Sequence, residues 1–205
     1  MEIDTKSLTN EKVNSMRYQN KTKNSGATLI IFLCWLVYMV SYLGKVNYSA
    51  NITHIIDSYN VSKSEAGLVP TFFFFAYGIG QILNGVFCKK YKIRLVVFVS
   101  LLVSGFMNFL VGISNNFSFV KYFWLINGAA LSVLWPSLIR LLSETLDQKV
   151  IGRAVVVMGT TVAVGTIFVY GLSALFAWIA TYTIIFYTAG VLLPMIALLW
   201  FFAYP

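Results

Sequence analysis

The sequence predicts an all-α, polytopic membrane protein with six transmembrane helices, and three features carry that expectation. The 205 residues are 59% hydrophobic and only 11% charged, where an average soluble domain carries roughly 25% charged side chains. Six stretches of about twenty or more mostly apolar residues follow one another, each able to cross a hydrocarbon core of about 30 Å at about 1.5 Å per residue. Phe, Tyr and Trp make up 17% of the chain, and such rings are tolerated in lipid and favoured at its edges.

Residues 1–26 read as a polar, basic tail, with Lys6, Lys12, Arg17, Lys21 and Lys23 among Asn, Ser and Thr. A signal peptide would show a short apolar region followed by a small-residue cleavage site. The run that follows is instead long and continues as a span, so the first helix is retained. Residues 27–205 form the bundle, with spans expected at Thr28 to Ile55, Ser64 to Cys88, Ile93 to Ser114, Phe119 to Leu142, Ile151 to Leu172 and Leu175 to Tyr204. Every connection is short.

Basic residues orient the spans. The tail holds five, the second link holds Lys89, Lys90, Lys92 and Arg94, and the fourth holds Arg140, Lys149 and Arg153. The opposite side holds only Lys63 and Lys121, and the expected link near Leu172 to Leu175 holds none. Both termini are therefore expected on the cytoplasmic side of a multi-pass protein of the plasma membrane. Nucleic-acid binding does not fit, because the basic residues sit on membrane edges where orientation already accounts for them.

The same inventory argues against an enzyme. All seven acids lie outside the middle of the membrane, and the one histidine, His54, lies near the outer end of the first span. There is no HExxH, no intramembrane aspartate pair and no Ser-His arrangement at one depth. Cys34 and Cys88 lie in or at the edge of apolar spans, which argues against a disulfide scaffold or a zinc site. No cofactor is expected, and no chain of titratable groups crosses the membrane to carry protons.

Lys45 is the strongest functional clue. A lysine well inside a span costs about 2.5 to 3.5 kcal/mol on insertion scales, so something must offset it. One reading is a cationic site for an anionic substrate in a wet cavity; the other is a side chain snorkelling to the outer interface. A helix continuing to Ile55 puts Lys45 too deep to snorkel easily and favours the site, whereas a helix ending at Asn47 would favour snorkelling. Tyr38 and Tyr42 are four residues apart and Tyr42 and Lys45 three, so the three share one helical face, which Asn47 and Tyr48 are candidates to extend. Tyr77 and Gln81 repeat the four-residue spacing in the second span. Gly78, Gly80 and Gly85 are expected to admit a neighbouring helix, and Gly152, Gly159, Gly165 and Gly171 in the fifth span are explained equally by close packing or by a moving helix interface. In the fourth span, Pro136 implies a kink whose freed backbone groups need protein or a wet cavity. Arg140 is expected to pair with Glu144.

The link from Gly85 through Lys89 and Lys90 to Arg94 resembles the signature loop of the major facilitator superfamily, with Lys89 and Lys90 where that loop usually carries Asp and Arg. More specifically, Tyr42-Leu-Gly-Lys45-Val-Asn47-Tyr48, Ala76-Tyr77-Gly78 and Trp135-Pro136 followed by Arg140 resemble the N-terminal half of the organophosphate:phosphate antiporters, which include glycerol-3-phosphate and hexose-phosphate transporters. The resemblance runs from about Thr28 to Pro205. It implies half of a twelve-helix fold, built of two inverted three-helix repeats, and a substrate-binding arginine that falls on Lys45. Family tyrosines match Tyr38 and Tyr42, a family lysine falls on Gln81, and a family histidine falls on Val162.

The function so implied is transport of small organic anions, phosphorylated ones included, by alternating access, with Lys45, Tyr38, Tyr42, Tyr77 and Gln81 binding substrate. Gly85, Lys89, Lys90, Arg94, Arg140 and Arg153 would form the cytoplasmic conformational loops. Pro205 falls where the first half would end, so a second six-helix half or another copy is expected as partner. The alternatives are a membrane-embedded sensor or binding protein, and a truncated, inactive half.

Overall fold

The computed structural model describes residues 26–87 and 91–204. The tail to residue 25, Cys88, Lys89, Lys90 and Pro205 lie outside the described residues. Six helical runs are long and apolar enough to cross a membrane: Gly26–Gly44, Lys63–Phe87, Ile93–Ile113, Phe117–Thr145, Gln148–Ile179 and Ile184–Ala203, spans 1 to 6 in chain order.

Span 1 corrects the expectation of one continuous helix. The run Gly26–Gly44 consists of α1 (26–40) and a 3-10 turn at Ser41–Gly44, and the expected helix goes on only through a break at Lys45 and Val46 into α2 (Asn47–Ala50) and α3 (Ile52–Tyr59), which are counted with span 1 below. The amides of Lys45 and Val46 both donate to the Tyr42 carbonyl, at 3.0 and 3.1 Å. The Tyr48 amide turns to its neighbour's side chain, Asn47 Oδ1, at 3.0 Å. The Gly44 carbonyl, which a regular helix would offer to that amide, accepts instead from Asn127 Nδ2. Side-chain amides thus replace the missing helical bonds, as irregular backbone inside a membrane requires.

Span 2 is α4 (Lys63–Phe87), and a reciprocal cap starts it: Ser62 Oγ accepts from the Glu65 amide at 3.2 Å while Glu65 Oε2 accepts from the Ser62 amide at 3.0 Å. Pro70 cannot donate to the carbonyl of Ala66 one turn back. The Tyr48 hydroxyl fills the vacancy, donating to Ala66 O at 3.1 Å. Span 3 is α5 (Ile93–Ile113).

Span 4 is broken at Ser132 and Val133 into α6 (Phe117–Leu131) and α7 (Leu134–Thr145). The break falls upstream of Pro136 because a proline ring clashes with the carbonyl four residues back, here that of Ser132. Span 5 is α8 (Gln148–Ile179), which continues through the link expected at Leu172 to Leu175. Ser173 and Ala174 carry no helix-breaking geometry, and the helix ends only at Ala180, whose φ of −153° and ψ of −93° leave the helical region. Its 32 residues measure about 48 Å at about 1.5 Å per residue, so it outreaches the hydrocarbon core. Span 6 is α9 (Ile184–Ala203).

Close approaches define the packing. Span 2 meets span 4 where a Cβ on Gly128 would lie 2.3 Å from the Phe73 carbonyl oxygen and one on Gly80 2.2 Å from Ser132 Oγ. Span 5 meets span 1 where a Cβ on Gly165 would lie 2.8 Å from the Tyr42 ring, and Trp35 Nε1 donates to Thr160 Oγ1 at 2.9 Å. Span 3 meets span 6 where Gly105 faces Pro194 and Gly190 faces Phe109. Exchanging span 1 with 4, 2 with 5 and 3 with 6 maps these pairs onto themselves. The broken spans, 1 and 4, are exchanged with each other. So are the least enclosed, 2 and 5, each with 17% of its apolar window buried against 33% to 50% elsewhere. This is the pattern of two related three-helix repeats.

Candidate functional site: an aromatic cage around Lys45

The break in span 1 sets the site's geometry. Lys45 follows the 3-10 turn, and its side chain runs back along the face that carries Tyr38 and Tyr42. It is only 8% exposed, so it is packed inside the bundle and not extended to an interface. Its Nζ lies 4.0 Å from the ring centroid of Tyr38, 4.8 Å from that of Tyr42 and 5.4 Å from that of Tyr77. Three aromatic faces within about 6 Å hold the ammonium by their quadrupoles. Lys45 makes no ion pair with any described residue.

The cage walls hold one another. Tyr38 and Tyr42 meet edge to face at 5.8 Å, and Trp135 of α7 packs on Tyr38 at 5.0 Å. The Tyr77 ring stacks on Phe73 at 5.8 Å. Its hydroxyl oxygen accepts from Gln81 Nε2 at 2.9 Å and lies 3.4 Å from the Tyr38 hydroxyl. Because Gln81 donates to it, the Tyr77 O–H proton remains available for a further acceptor. The five residues assigned to substrate from the sequence therefore come together, three tyrosines around the Lys45 cation and Gln81 behind Tyr77.

Asn47 and Tyr48 do not extend the stripe. The break rotates them away: the Tyr48 ring packs on Trp124 at 5.5 Å, and Asn47 enters a buried polar network that the sequence reading missed. Asn47 Nδ2 donates to Asn108 Oδ1 at 2.8 Å, Asn108 Nδ2 to Ser104 O at 2.8 Å, Ser104 Oγ to Asn127 Oδ1 at 2.7 Å, and Asn127 Nδ2 to Gly44 O at 2.6 Å. Asn51 Nδ2 adds Ser173 Oγ of α8 at 3.0 Å. Asparagines at mid-span are costly in lipid, and that cost was the signal available in the sequence. Among the described residues no buried side-chain nitrogen or oxygen lacks a hydrogen-bond partner.

The loop residues gather at the opposite end from Lys63 and Lys121. Arg140 donates through Nε to Glu144 Oε1 at 2.7 Å and through Nη1 to the Tyr91 carbonyl at 3.3 Å. Arg94 donates to the Phe201 carbonyl and lies 4.2 Å from the Phe201 ring centroid. Arg153 is exposed on α8, and Lys89 and Lys90 fall outside the described residues. The glycine expectation is partly corrected. Gly80 and Gly165 do seat neighbouring helices, but a Cβ on Gly78, Gly85, Gly152, Gly159 or Gly171 would meet nothing within 4 Å, because those positions face outward.

Residues 34–205 match the family model described as Major Facilitator Superfamily. The membrane sensor protein UhpC of Escherichia coli strain K12 is 26% identical over 98 residues, 48% of this chain and 22% of that protein. A probable hexose phosphate transport protein of Chlamydia trachomatis is 24% identical over 115 residues, 56% of this chain and 25% of that one. Among solved structures, a bacterial homolog to the human lysosomal transporter Spinster, inward-facing and unoccupied, superposes with a TM-score of 0.77 at 12% identity, over 87% of this chain and 43% of that one. The chain thus spans about a quarter of the curated relatives it matches and under half of the solved transporter.

Proposed function

Because this chain belongs to the Major Facilitator Superfamily and is an integral, multi-pass membrane protein, we propose that its bundle serves as one half of a transporter for small organic anions, phosphorylated ones among them. The observation that carries this reading is the Lys45 ammonium, held among three tyrosine rings inside the membrane without an ion-pair partner among the described residues. An anion entering the cage supplies the missing counter-charge. Lys45 meets one oxygen as a point charge, since an ammonium lacks the planar fork with which arginine grips two. The Tyr77 and Tyr38 hydroxyls donate to the remaining oxygens, with Gln81 fixing the direction of the Tyr77 O–H. No covalent step is involved. The relative described as a probable hexose phosphate transport protein supports this substrate class.

Alternating access requires a second six-helix body against which this one rocks. A partner, another copy or further residues of a longer polypeptide would supply it, and spans 2 and 5 offer the open faces. In the proposed orientation both termini lie on the cytoplasmic side of the plasma membrane, with Arg94, Arg140 and Arg153 in the cytoplasmic loops together with Gly85, Lys89 and Lys90.

The test is reconstitution of the purified chain into vesicles, with its assembled mass determined and exchange of inorganic phosphate and sugar phosphates measured. Exchange that disappears in Lys45→Ala supports the reading, and exchange indifferent to Lys45 overturns the site. A second reading, a sensor that binds without moving solute, is favoured by the similarity to a membrane sensor protein. Lys45-dependent protection by a sugar phosphate against thermal unfolding, without exchange, would select it.

A further inference from the structure

We propose that the groove between α5 and α6 is a binding site for an anionic glycerophospholipid, with an acyl chain in the groove and the headgroup phosphate on Lys92. A cavity of about 530 Å³ lies between the two helices, walled by side chains such as Leu95, Val99, Val103, Ile126 and Val133. Its one side-chain hydroxyl, on Ser100, is already engaged with the Ala130 carbonyl at 2.6 Å. The groove lies between two membrane-spanning segments, where hydrocarbon is the surrounding solvent, so an acyl chain matches its walls.

The headgroup preference follows from what stands at the groove's end. Leu95, Val96, Val99 and Val103 fall at helical intervals and form one stripe of α5 that lines the groove, and Lys92 is the extended residue immediately before that helix, so the lysine stands at the end of the groove's α5 wall. Lys92 also borders a second cavity of about 410 Å³ with Arg94, Arg140, Glu144, Tyr91 and Tyr204. Its cations are not equivalent. Arg140 is paired at 2.7 Å with Glu144, the one carboxylate among the described residues that line this cavity, and Arg94 is held against the carbonyl and ring of Phe201. Lys92 forms no ion pair with a described residue, and it is the N-cap of α5, where the first-turn amides add positive potential. Among the described residues lining this cavity, three cations stand against one acid, which attracts a lipid of net negative charge over a zwitterionic one. Neither cavity touches the Lys45 cage, so the site stands apart from the transport reading.

The experiment is native mass spectrometry of the purified full chain released from nanodiscs of equal phosphatidylglycerol and phosphatidylcholine. The variants are Lys92→Ala, Ala129→Phe, which fills the groove wall without touching charge, and Lys121→Ala at the other end as control. Monodisperse elution confirms that each is folded. Retained phosphatidylglycerol should exceed phosphatidylcholine. Lys92→Ala should lower its occupancy about fivefold, the value of about one lysine against an anionic surface, Ala129→Phe should also lower it, and Lys121→Ala should not. Equal retention of both lipids, or retention unchanged in both Lys92→Ala and Ala129→Phe, overturns the proposal. So does loss in Lys92→Ala alone combined with displacement by millimolar inorganic phosphate, which would mark a free-anion site in place of a lipid.

Discussion

At the scale of single residues, the asparagines explain why the charge of Lys45 is held where it is. The backbone around Lys45 is non-helical, and its shape is kept by Asn127 on Gly44 O and by Asn47 on the Tyr48 amide. Asn127→Leu removes the donor to the Gly44 carbonyl and strands the Ser104 hydroxyl. It should lower stability by about 1 kcal/mol, between the small average for interhelical hydrogen bonds in membranes and the full penalty of an unsatisfied group, seen as a lower unfolding temperature in detergent. Tyr77→Phe keeps the ring over Lys45 but removes the hydroxyl that Gln81 and Tyr38 share. On the proposed function it should leave the fold unchanged and weaken anion binding about tenfold, or about 1.4 kcal/mol, in a ligand-protection titration. The cage was legible in the sequence because Tyr38, Tyr42 and Lys45 are related by helical spacing and Tyr77 and Gln81 repeat it. The asparagine network was not, since the bonds that join one span to another link residues 23 to 122 apart, beyond the reach of any local period.

At the scale of elements, glycines separate packed faces from open ones. Gly128→Ala drives a methyl into the Phe73 carbonyl, a backbone atom that cannot rotate aside. It should destabilise the bundle by about 1 to 3 kcal/mol. Gly159→Ala meets open space, and the unfolding temperature should stay the same or rise slightly, because alanine is the better helix former. A loss of stability in Gly159→Ala would mean that α8 is packed where it is described as open. All six spans could be read from hydropathy, since composition alone decides what partitions into lipid. The break at Lys45 could not, because no proline causes it and the side-chain amides that satisfy it are Asn47 just after the break and Asn127 of span 4, 83 residues from the carbonyl it serves. The break in span 4 was foreseeable from Pro136, displaced by the one-turn reach of the ring to Ser132. The end of α8 was misplaced because the run Leu172-Ser-Ala-Leu175 is less apolar than its neighbours without being any less helical.

At the scale of the whole molecule, the open faces of spans 2 and 5 belong to whatever completes the transporter on the proposed function. Gly159→Leu should therefore leave the unfolding temperature of the isolated bundle unchanged while reducing exchange and the assembled mass in vesicles; unchanged exchange would place the second body elsewhere. Family membership was readable from short motifs around Lys45, Tyr77 and Trp135, although the repeat symmetry appears only when packing pairs are compared. That pairing has a consequence for biogenesis. Span 2 is seated on span 4, span 1 on span 5 and span 3 on span 6, so neither trio is a self-sufficient folding unit. A ribosome that has released only the first three helices has placed Lys45 in the bilayer before Asn127 and Trp135 exist to receive it. The nascent intermediate must wait, sheltered by the insertion machinery, until the later helices interleave with the earlier ones. Two fragments severed between Ile113 and Phe117 should each be degraded when made alone and accumulate when made together.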